Sequence, residues 1–367
     1  MEKLRHMGVP LRQHVGANAI YRGVLTGLNE AFVVDIFTRN ALIATDRRSV
    51  ELIRPFLRGQ DIDRWSSDWA GLSLILLQSS SNHSWPWTNM SGDAAEACFQ
   101  RTYPAIYGHF LPMREKMVAR EDKGRFWWEL RSCSYYTAFD QPKIIYTDIA
   151  WTAQFCIDNT SAILGNTAYI IATGDSWIAA CLNAPLGWWF AWRTAQHGKD
   201  EALRYFTSFM ERYPIPTLSD ESRAIVYDIT SLLKQVTASR HETRRVLRDW
   251  LQVTWELSAP PAALLNPFNL TGDQFAAALR AALPARRRIL SAAAIAAIRA
   301  EHSTTIAPMA ARLAEVARHE AELSALVNRA YGLTPEEEAL IWATAPPRMP
   351  TPPPSPSLPP QPAPRRT

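Results

Sequence analysis

The chain has 367 residues, of which 47% are hydrophobic and 20% charged, and its formal net charge is +4. This composition excludes a wholly disordered protein and supplies enough apolar side chains for more than one core. The small positive charge is compatible with a polyanionic partner but does not by itself indicate one.

No targeting segment is evident from the sequence. Met1–His6 is followed by no apolar run of signal-peptide length, and no later segment is long enough to span a bilayer, so a cytoplasmic location without membrane contact is expected. The wide spacing of the cysteines predicts buried free thiols rather than a zinc site or a disulfide framework. The four are Cys98, Cys133, Cys156 and Cys181.

The first predicted elements in chain order are a turn at Gly27–Asn29 and a strand at Ala31–Asp35, because Gly and Asn accept backbone angles that other residues resist. Runs of β-branched and aromatic residues, separated by turn signals, predict further short strands. These are Lys143–Ile149, Gln154–Asp158 and Ala168–Ala172. A compact, sheet-rich unit is therefore expected.

Helices dominate the later part of the chain. Asp175 or Ser176 can cap a deeply buried helix from Trp177 through Trp192. Near the C-terminus, Gly332 is predicted to end a helix with one apolar face, and Thr334–Glu337 supplies an N-cap, a proline at the first position and a reciprocal glutamate for the next helix.

The composition changes twice along the chain. An α+β fold is predicted for residues 1–218, a helical region rich in Ala, Leu, Arg and Glu for 219–345, and a Pro-rich disordered tail for 346–367. The helical region is expected to support the first domain, although a dimer seam or a docking face for a catalytic partner is an open alternative.

An ordered series of sequence blocks resembles the TaqI-like specificity domain of adenine-specific DNA methyltransferases and of the restriction enzymes fused to them. The blocks include Tyr21–Asp35 (YRGVLTGLNEAFVVD), Pro55–Ile62 (PFLRGQDI), Gly124–Tyr136 (GRFWWELRSCSYY), Leu164–Ile171 (LGNTAYII) and Ala330–Glu337 (AYGLTPEE). This resemblance implies a β-helix-like sheet unit followed by an α-helical hairpin, with loops presented to the DNA major groove. It also implies double-stranded DNA as partner and a prokaryotic, nucleoid-associated location.

The catalytic motifs of such enzymes are not found in the sequence. Methyl transfer to adenine needs a Gly-rich turn for S-adenosylmethionine and a polar-Pro-Pro-aromatic loop, whereas Asn266–Phe268 lacks the second proline and Asn183–Leu186 lacks the aromatic. We therefore expect no cofactor in this chain, no catalytic residue, no metal site and no methyl transfer by the chain alone. S-adenosylmethionine would bind a missing or partner domain.

Three functional hypotheses remain open at this point. The chain is the target-recognition portion of a restriction-modification enzyme without its methyl-transfer domain, or it is a specificity subunit acting in trans on a separately encoded methyltransferase or endonuclease subunit. The third alternative is an inert, truncated remnant.

The candidate DNA-binding residues are chosen by chemistry: Arg and Lys for phosphates or guanine, and Asn or Gln for adenine. They are Arg22, Thr26, Asn29, Arg58, Lys123, Arg125, Arg131, Lys143, Trp151, Gln154, Lys199 and Arg204. Phosphate positioning or turn stability is favoured for Arg22, Thr26 and Asn29, since a loop shared by a family cannot specify different target sequences. Base reading is the hypothesis for Arg131, Lys143, Gln154, Lys199 and Arg204.

A basic cluster in the segment 114–131 is a further phosphate-binding candidate, against the alternative of a solvated helix face with paired charges. It comprises Arg114, Lys116, Arg120, Lys123, Arg125 and Arg131. For the aromatic residues of the first domain, burial is favoured over base stacking. These are Trp127, Trp128, Tyr135, Tyr136 and Trp151.

Overall fold

The computed structural model describes residues 1–353. The chain folds into two compact units: Glu2–Ala179 with Ala195–Ile215 form the first, and Ala180–Thr194 with the chain from Pro216 onward form the second. The segment 180–194 thus belongs to the unit that follows, although the sequence predicted it within the first domain. Residues 354–367 of the predicted Pro-rich tail lie outside the described residues.

The strands are short and almost all belong to the first unit. They are β1 (Gly8–Pro10), β2 (Ile20–Arg22), β3 (Val33–Val34), β4 (Ile53–Leu57), β5 (Ser73–Ile75), β6 (Lys143–Thr147), β7 (Ile149–Ala150), β8 (Phe155–Asp158), β9 (Ile163–Leu164), β10 (Ala168–Ile171), β11 (Gln196–His197), β12 (Leu203–Arg204) and β13 (Pro214–Pro216).

The helices range from single turns to one of ten turns. They are α1 (Glu2–Met7), α2 (Leu11–Val15), α3 (Asn29–Phe32), α4 (Ile36–Thr45), α5 (Gly92–Thr102), α6 (Pro104–Phe110), α7 (Arg114–Ala119), α8 (Ser176–Asn183), α9 (Pro185–Thr194), α10 (Thr207–Met210), α11 (Asp220–Trp255), α12 (Ala262–Leu265), α13 (Gly272–Ala282), α14 (Ala292–Glu301), α15 (Ala307–Ala330) and α16 (Pro335–Ala343). The chain therefore has the mixed α and β content that the sequence predicted.

Two four-stranded sheets form the frame of the first unit, with strand orders β2-β10-β6-β8 and β3-β5-β4-β9. The first sheet is antiparallel, and Ile145 of β6 pairs with Cys156 on one side and Ile170 on the other. In the second sheet β9 runs parallel to β4. Because Gly165, directly after β9, also forms a parallel bridge with Val24, the two sheets meet at this glycine.

The core of the first unit is dominated by large aromatic side chains. Trp87 and Trp128 are 0% and 1% exposed, and Phe99 stacks on Trp128 with ring centroids 5.0 Å apart. The carboxylate of Glu129, also buried, accepts a hydrogen bond from Trp87 Nε1 at 3.0 Å. The prediction that the Trp127–Trp128 pair belongs to the core is confirmed.

The strand predictions differ in outcome. The structure confirms strands at Lys143–Thr147, Phe155–Asp158 and Ala168–Ile171. The strand prediction for Ala31–Asp35 is wrong in its first half, because Asn29–Phe32 forms a helical turn and only Val33–Val34 is extended. The burial of Phe32 against Phe110, with centroids 5.0 Å apart, fixes this local conformation.

The predicted helix from Trp177 through Trp192 is divided into α8 and α9. Pro185 begins α9, and a proline disfavours helical angles at the residue before it, so the break falls at Ala184. Asp175 is the capping residue, since its carboxylate accepts hydrogen bonds from the backbone N–H groups of Trp177 and Ile178.

The second unit is helical. Its longest helix, α11, packs against α15, and a separate core gathers around Leu251, Phe275 and Ile298. The predicted helix boundary is confirmed: α15 ends at Ala330, and Thr334 and Glu337 form a reciprocal capping box at the start of α16.

Candidate nucleic-acid interface

The start of the site is a close backbone contact between two glycines of the first unit. Gly23 follows β2, and a Cβ atom at this position would lie 2.1 Å from the carbonyl oxygen of Gly165. The backbone N–H groups of Gly23 and Val24 donate to the carbonyls of Ala168 and Leu164 at 2.8 and 2.7 Å. Only glycine permits this approach, which fixes the neighbouring Arg22 beside the β9–β10 turn.

Arg22 occupies a fixed position at the edge of this turn. Its Nε donates to the carbonyl oxygen of Asn166 at 2.7 Å, and its guanidinium lies over the ring of Tyr169. The side chain is nevertheless 53% exposed, so its remaining N–H groups can reach a ligand.

A cleft of about 760 Å³ opens beside Arg22 and is bordered by both four-stranded sheets. Its apolar floor includes Val24, Phe56 and Ile62. Its polar side chains are mostly of the types that form paired hydrogen bonds with base edges. These polar residues are Arg22, Asn29, Glu30, Arg58, Gln60, Thr147, Asp148, Gln154, Asn166 and Thr167. We call this feature the cleft.

Asp148 organises the positive charge on one side of the cleft. Arg204 donates to it from Nε and Nη2 at 3.1 and 2.9 Å, and Arg22 Nη2 lies 4.0 Å away. Arg204 is on β12, where it pairs with Ile149 of β7. A carboxylate that accepts two hydrogen bonds from one guanidinium fixes the plane of that group, although it also neutralises part of its charge.

Arg58 is fixed in a similar way on the opposite side. Its Nε and Nη2 donate to the buried carboxylate of Asp61 at 3.0 and 2.7 Å. This hydrogen bonding raises the pKa of Arg58 above its ordinary value. The next residue, Gly59, donates its backbone N–H to Thr167 Oγ1 at 3.1 Å, so the Arg58 loop is tied to the β9–β10 turn.

The β6–β8 hairpin supplies the exposed aromatic side chain of the cleft. Trp151 is 45% exposed and Ile149 is 43% exposed, and Gln154 lies just before β8. The sequence favoured burial for Trp151, and this prediction is wrong. Trp151 directly follows β7, whose residues Ile149 and Ala150 pair with β12, and its ring remains 45% exposed beside the cleft.

Thr26 and Asn29 stabilise the turn between them. Thr26 is 2% exposed, its hydroxyl donates to Asn29 Oδ1 at 2.6 Å, and Thr26 Oγ1 accepts from the N–H of Leu28 at 3.2 Å. Of the two candidates, only Asn29 borders the cleft. Turn stability is therefore the role that the contacts of Thr26 support.

Lys143 is not accessible to any ligand. It is 0% exposed and its ammonium lies 2.7 Å from the carboxylate of Asp158. The hypothesis that it reads a base is corrected to a structural role, since a buried and paired charge cannot reach DNA. Lys199, in contrast, lies in an exposed turn between β11 and β12 and borders neither the cleft nor the small pocket described below.

The predicted basic cluster at 114–131 is mostly committed to contacts within the protein. Arg120 is 5% exposed and donates to the carbonyls of Thr26, Trp127 and Glu129, and burial lowers its pKa to about 10. Lys123 donates to two backbone carbonyls. Arg120 therefore stabilises the surrounding backbone and is too buried to contact a phosphate.

The other basic residues of the cluster are exposed but paired. Arg114 binds Glu96, and Lys116 binds Glu30. Arg125 donates to the carbonyl of Thr88. This is the arrangement expected for the alternative of a charged surface with internal pairs.

Arg131 lies apart from these residues, at a second and smaller pocket of about 250 Å³. We call it the small pocket. Its lining consists of Arg22, Gly23, Val24, Leu25, Arg131, Ser132, Cys133, Ser134, Tyr135, Tyr136 and Asn166. Arg22, Val24 and Asn166 border both the cleft and the small pocket, so the two cavities are adjacent.

Several residues of the cleft were not identified from the sequence. Asp61 and Asp148 are acidic and were not considered for a polyanion site, although each orients an arginine. The sequence predicts a turn at Asn166 and a loop at Gln60, and neither pattern indicates a binding residue. The alternation of Gly with polar residues at 59–60 and 165–166 is the signal that could have found them.

In the described part of the chain, neither a group of metal-ligating side chains nor a helix that could cross a membrane is present. Within residues 1–353, no three His, Cys, Asp or Glu side chains are grouped closely enough to hold a metal ion. Over the same residues, every helix is too short or too polar to cross a bilayer.

Comparison with known proteins gives three findings. A family model described as a domain of unknown function, DUF8810, matches residues 219–327. No curated protein matches the sequence. Among solved structures, the chain is similar to the Type IIL restriction-modification enzyme MmeI in complex with DNA, at 11% identity and a TM-score of 0.49 over 89% of this chain and 34% of that chain.

A second solved structure is the type IIG restriction endonuclease BpuSI, at 12% identity and a TM-score of 0.35, covering 63% of this chain and 27% of that chain. The chain spans about a third of the length of MmeI and about a quarter of that of BpuSI.

Proposed function

We propose that this chain is the DNA target-recognition portion of a restriction-modification enzyme, related to the TaqI-like specificity domains of adenine methyltransferases. The main observation that supports this proposal is the cleft, where five side chains lie together beside the exposed Trp151. They are Arg22, Asn29, Arg58, Gln60 and Gln154. Arginine pairs with guanine and the amides pair with adenine through two hydrogen bonds each, so this set matches the chemistry of base-edge reading.

The rigidity of the cleft supports this proposal. Base reading needs donors and acceptors held at fixed angles; Arg58 is held by two hydrogen bonds to the buried Asp61 carboxylate, and Arg22 by one to the carbonyl of Asn166. The cleft borders carry two arginines and the two acids Glu30 and Asp148, so the cleft is polar but close to neutral. Such a surface is suited to base edges more than to phosphates.

The chemistry of methyl transfer is proposed to come from another domain or subunit. Neither the S-adenosylmethionine turn nor the adenine-binding loop of this enzyme class is recognised in this sequence. We therefore propose that the chain binds duplex DNA and positions it, without transferring a methyl group itself.

Binding to a randomised duplex library tests the proposal. Selection and sequencing of the bound fraction should return one enriched motif, and affinity for it should fall steeply with salt. Incubation with duplex and labelled S-adenosylmethionine should give no methylated DNA. Recovery of an unenriched library at low salt would contradict the recognition role, and robust methylation would contradict the absence of catalysis.

A second candidate function is a specificity subunit that binds a separate methyltransferase through its helical unit. On α11, Ile225, Val246 and Val253 are 44%, 44% and 82% exposed, and their positions differ by multiples of seven. This spacing places them on one face of the helix. Co-purification of a methyltransferase with the wild-type chain, and its loss in a Val246→Glu, Val253→Glu variant, would support this function.

A further inference from the structure

The small pocket differs in charge from the cleft beside it. Two arginines, Arg22 and Arg131, border the small pocket, and no aspartate or glutamate does. The cleft has two arginines and two acids on its borders. A cavity of about 250 Å³ bordered by two arginines and no acidic side chain is therefore suited to a small anion.

Arg131 is the accessible cation of this pocket. Its side chain is 64% exposed and Nη1 lies 3.3 Å from Asp122, which is outside the pocket lining. A single solvent-exposed ion pair at this distance is weak and leaves most of the guanidinium donors available. An anion in the pocket would compete effectively with Asp122 for this side chain.

Hydroxyl donors line the same cavity. Ser132 and Ser134 are exposed, and within residues 1–353 neither hydroxyl has a protein hydrogen-bond partner. Tyr135 donates its hydroxyl to the carbonyl of Arg22 at 3.0 Å and stacks on Tyr21 with centroids 4.5 Å apart. This stack fixes the wall of the pocket that carries the two serines.

Tyr136 provides an independent observation. It is 6% exposed, it borders the pocket, and its hydroxyl has no partner among the described residues. Buried hydroxyl groups are nearly always hydrogen-bonded, and the Tyr136 hydroxyl has a hydrogen-bonding capacity that no other described residue satisfies. Burial raises the pKa of Tyr136 and of the Cys133 thiol, so both groups stay neutral at physiological pH.

We propose that the small pocket binds one phosphate group through Arg131 and the hydroxyls of Ser132 and Ser134. The inference deepens the proposed function, because a phosphate of the DNA backbone would then be anchored next to the cleft in which bases are read. Arg22 and Asn166, which border both cavities, would stand between the anchored phosphate and the bases. One phosphate contact would thus set the register of the duplex in the cleft.

Cys133 offers a direct reporter of this pocket. It is partly exposed, whereas Cys98, Cys156 and Cys181 are buried. Maleimide modification of the full chain should label Cys133 first, and duplex DNA should slow this labelling. Inorganic phosphate at constant ionic strength is the second probe, since it tests the pocket without the rest of the duplex.

Two variants test the contacts themselves. Arg131→Gln should reduce the slope of log K against log salt by about 0.9, the value for one lost phosphate contact, and leave the preferred motif unchanged. Ser134→Ala should weaken binding without altering that slope, because it removes a neutral donor of the pocket. Arg47→Gln, at an exposed position that borders neither cavity, is the matched control and should change neither quantity.

The outcomes separate this inference from the proposed function. If the wild type binds duplex but Arg131→Gln keeps the full salt slope and DNA leaves Cys133 labelling unchanged, the phosphate site is wrong while the recognition function stands. If the wild type binds no duplex, the rate of Cys133 labelling with and without inorganic phosphate tests the phosphate site by itself. Protection of Cys133 in the wild type, lost in Arg131→Gln, supports a site for a free phosphate group, and absence of protection overturns the site.

Discussion

The ammonium of Lys143 lies 2.7 Å from the carboxylate of Asp158, with the two side chains 0% and 5% exposed. The residues face each other across strands β6 and β8. Lys143 Nζ also donates to the carbonyls of Phe139 and Thr160 at 2.8 and 2.6 Å. The Lys143 ammonium therefore connects strands β6 and β8 at the base of the hairpin. The residues at the other end of this hairpin border the cleft.

The first prediction is that Lys143→Met strongly destabilises the protein. The variant leaves Asp158 buried without its partner, and breaking a buried pair in this way typically costs about 3–5 kcal/mol. Urea denaturation monitored by tryptophan fluorescence measures the loss. The exposed Lys199→Met variant is the control and should stay within about 0.5 kcal/mol of the wild type. Equal stability of the two variants would show that the buried pair contributes little.

The second prediction concerns the contact between Gly23 and Gly165. In Gly23→Ala the new Cβ would lie 2.1 Å from the Gly165 carbonyl oxygen and 2.6 Å from two further backbone atoms. Backbone atoms cannot rotate away, so the strands must separate, at a cost of about 1–3 kcal/mol. We expect a lower Tm and, because Arg22 moves with the strand, weaker DNA binding as well.

Gly108→Ala is the matched control for that substitution. Gly108 lies within α6, and a Cβ atom there meets nothing within 4 Å. Alanine in a helix interior is favoured over glycine by about 0.5–1 kcal/mol, so this variant should be slightly more stable than the wild type. Similar losses in both variants would argue against the close approach at Gly23.

These two sites show what could be predicted from the sequence. The apolar runs at Lys143–Thr147 and Ala168–Ile171 identify strands from the sequence. At least every second side chain of such a strand is buried, and this holds for any strand that pairs with it. Capping at Thr334 is local, and the residues that form it are adjacent in the sequence. The pairing of Lys143 with Asp158 depends instead on strand register, which the sequence does not display.

The candidate site was less predictable for the same physical reason. Asp148 orients Arg204 and lies 4.0 Å from Arg22, but these three residues come from separate parts of the chain. Trp151 is exposed although tryptophan is usually buried. Residue type alone supplies an average preference, and the fold decides the individual case.

The third prediction concerns acid stability and Glu96. Arg114 donates to this carboxylate from Nε and Nη2 at 3.2 and 3.0 Å, and this hydrogen bonding is the main cause that lowers the pKa of Glu96. Since the folded-state pKa lies below the unfolded value near 4.5, the contribution to stability is complete above that pH. It is lost as the pH falls through the folded-state pKa.

Glu96→Gln should therefore flatten the acid limb of the stability profile below pH 4.5. At neutral pH the variant should lose no more than about 1 kcal/mol, because solvent screens the partly exposed pair. Thermal unfolding across acidic and neutral pH measures both effects. Glu115→Gln, at an exposed position on α7, should leave the profile unchanged; an identical change in both variants would exclude a specific role for Glu96.

The fourth prediction separates base contact from folding in the cleft. Trp151 is 45% exposed, so Trp151→Ala should leave the Tm close to that of the wild type. If its ring stacks on a base, DNA affinity should fall by about 1–3 kcal/mol across all sequences, because stacking tolerates every base. Gln154→Ala should instead relax the preference at one position of the motif, since a paired hydrogen bond to adenine gives about 1–3 kcal/mol of discrimination.

Phe37→Ala is the control for the tryptophan. Phe37 is 80% exposed in the same unit and borders neither the cleft nor the small pocket, so its removal should not change affinity. Fluorescence anisotropy against the selected motif and its single-base variants measures affinity and preference together. A loss of binding with Phe37→Ala equal to that with Trp151→Ala would assign the effect to general surface chemistry, because the cleft would then have no special part in holding the duplex.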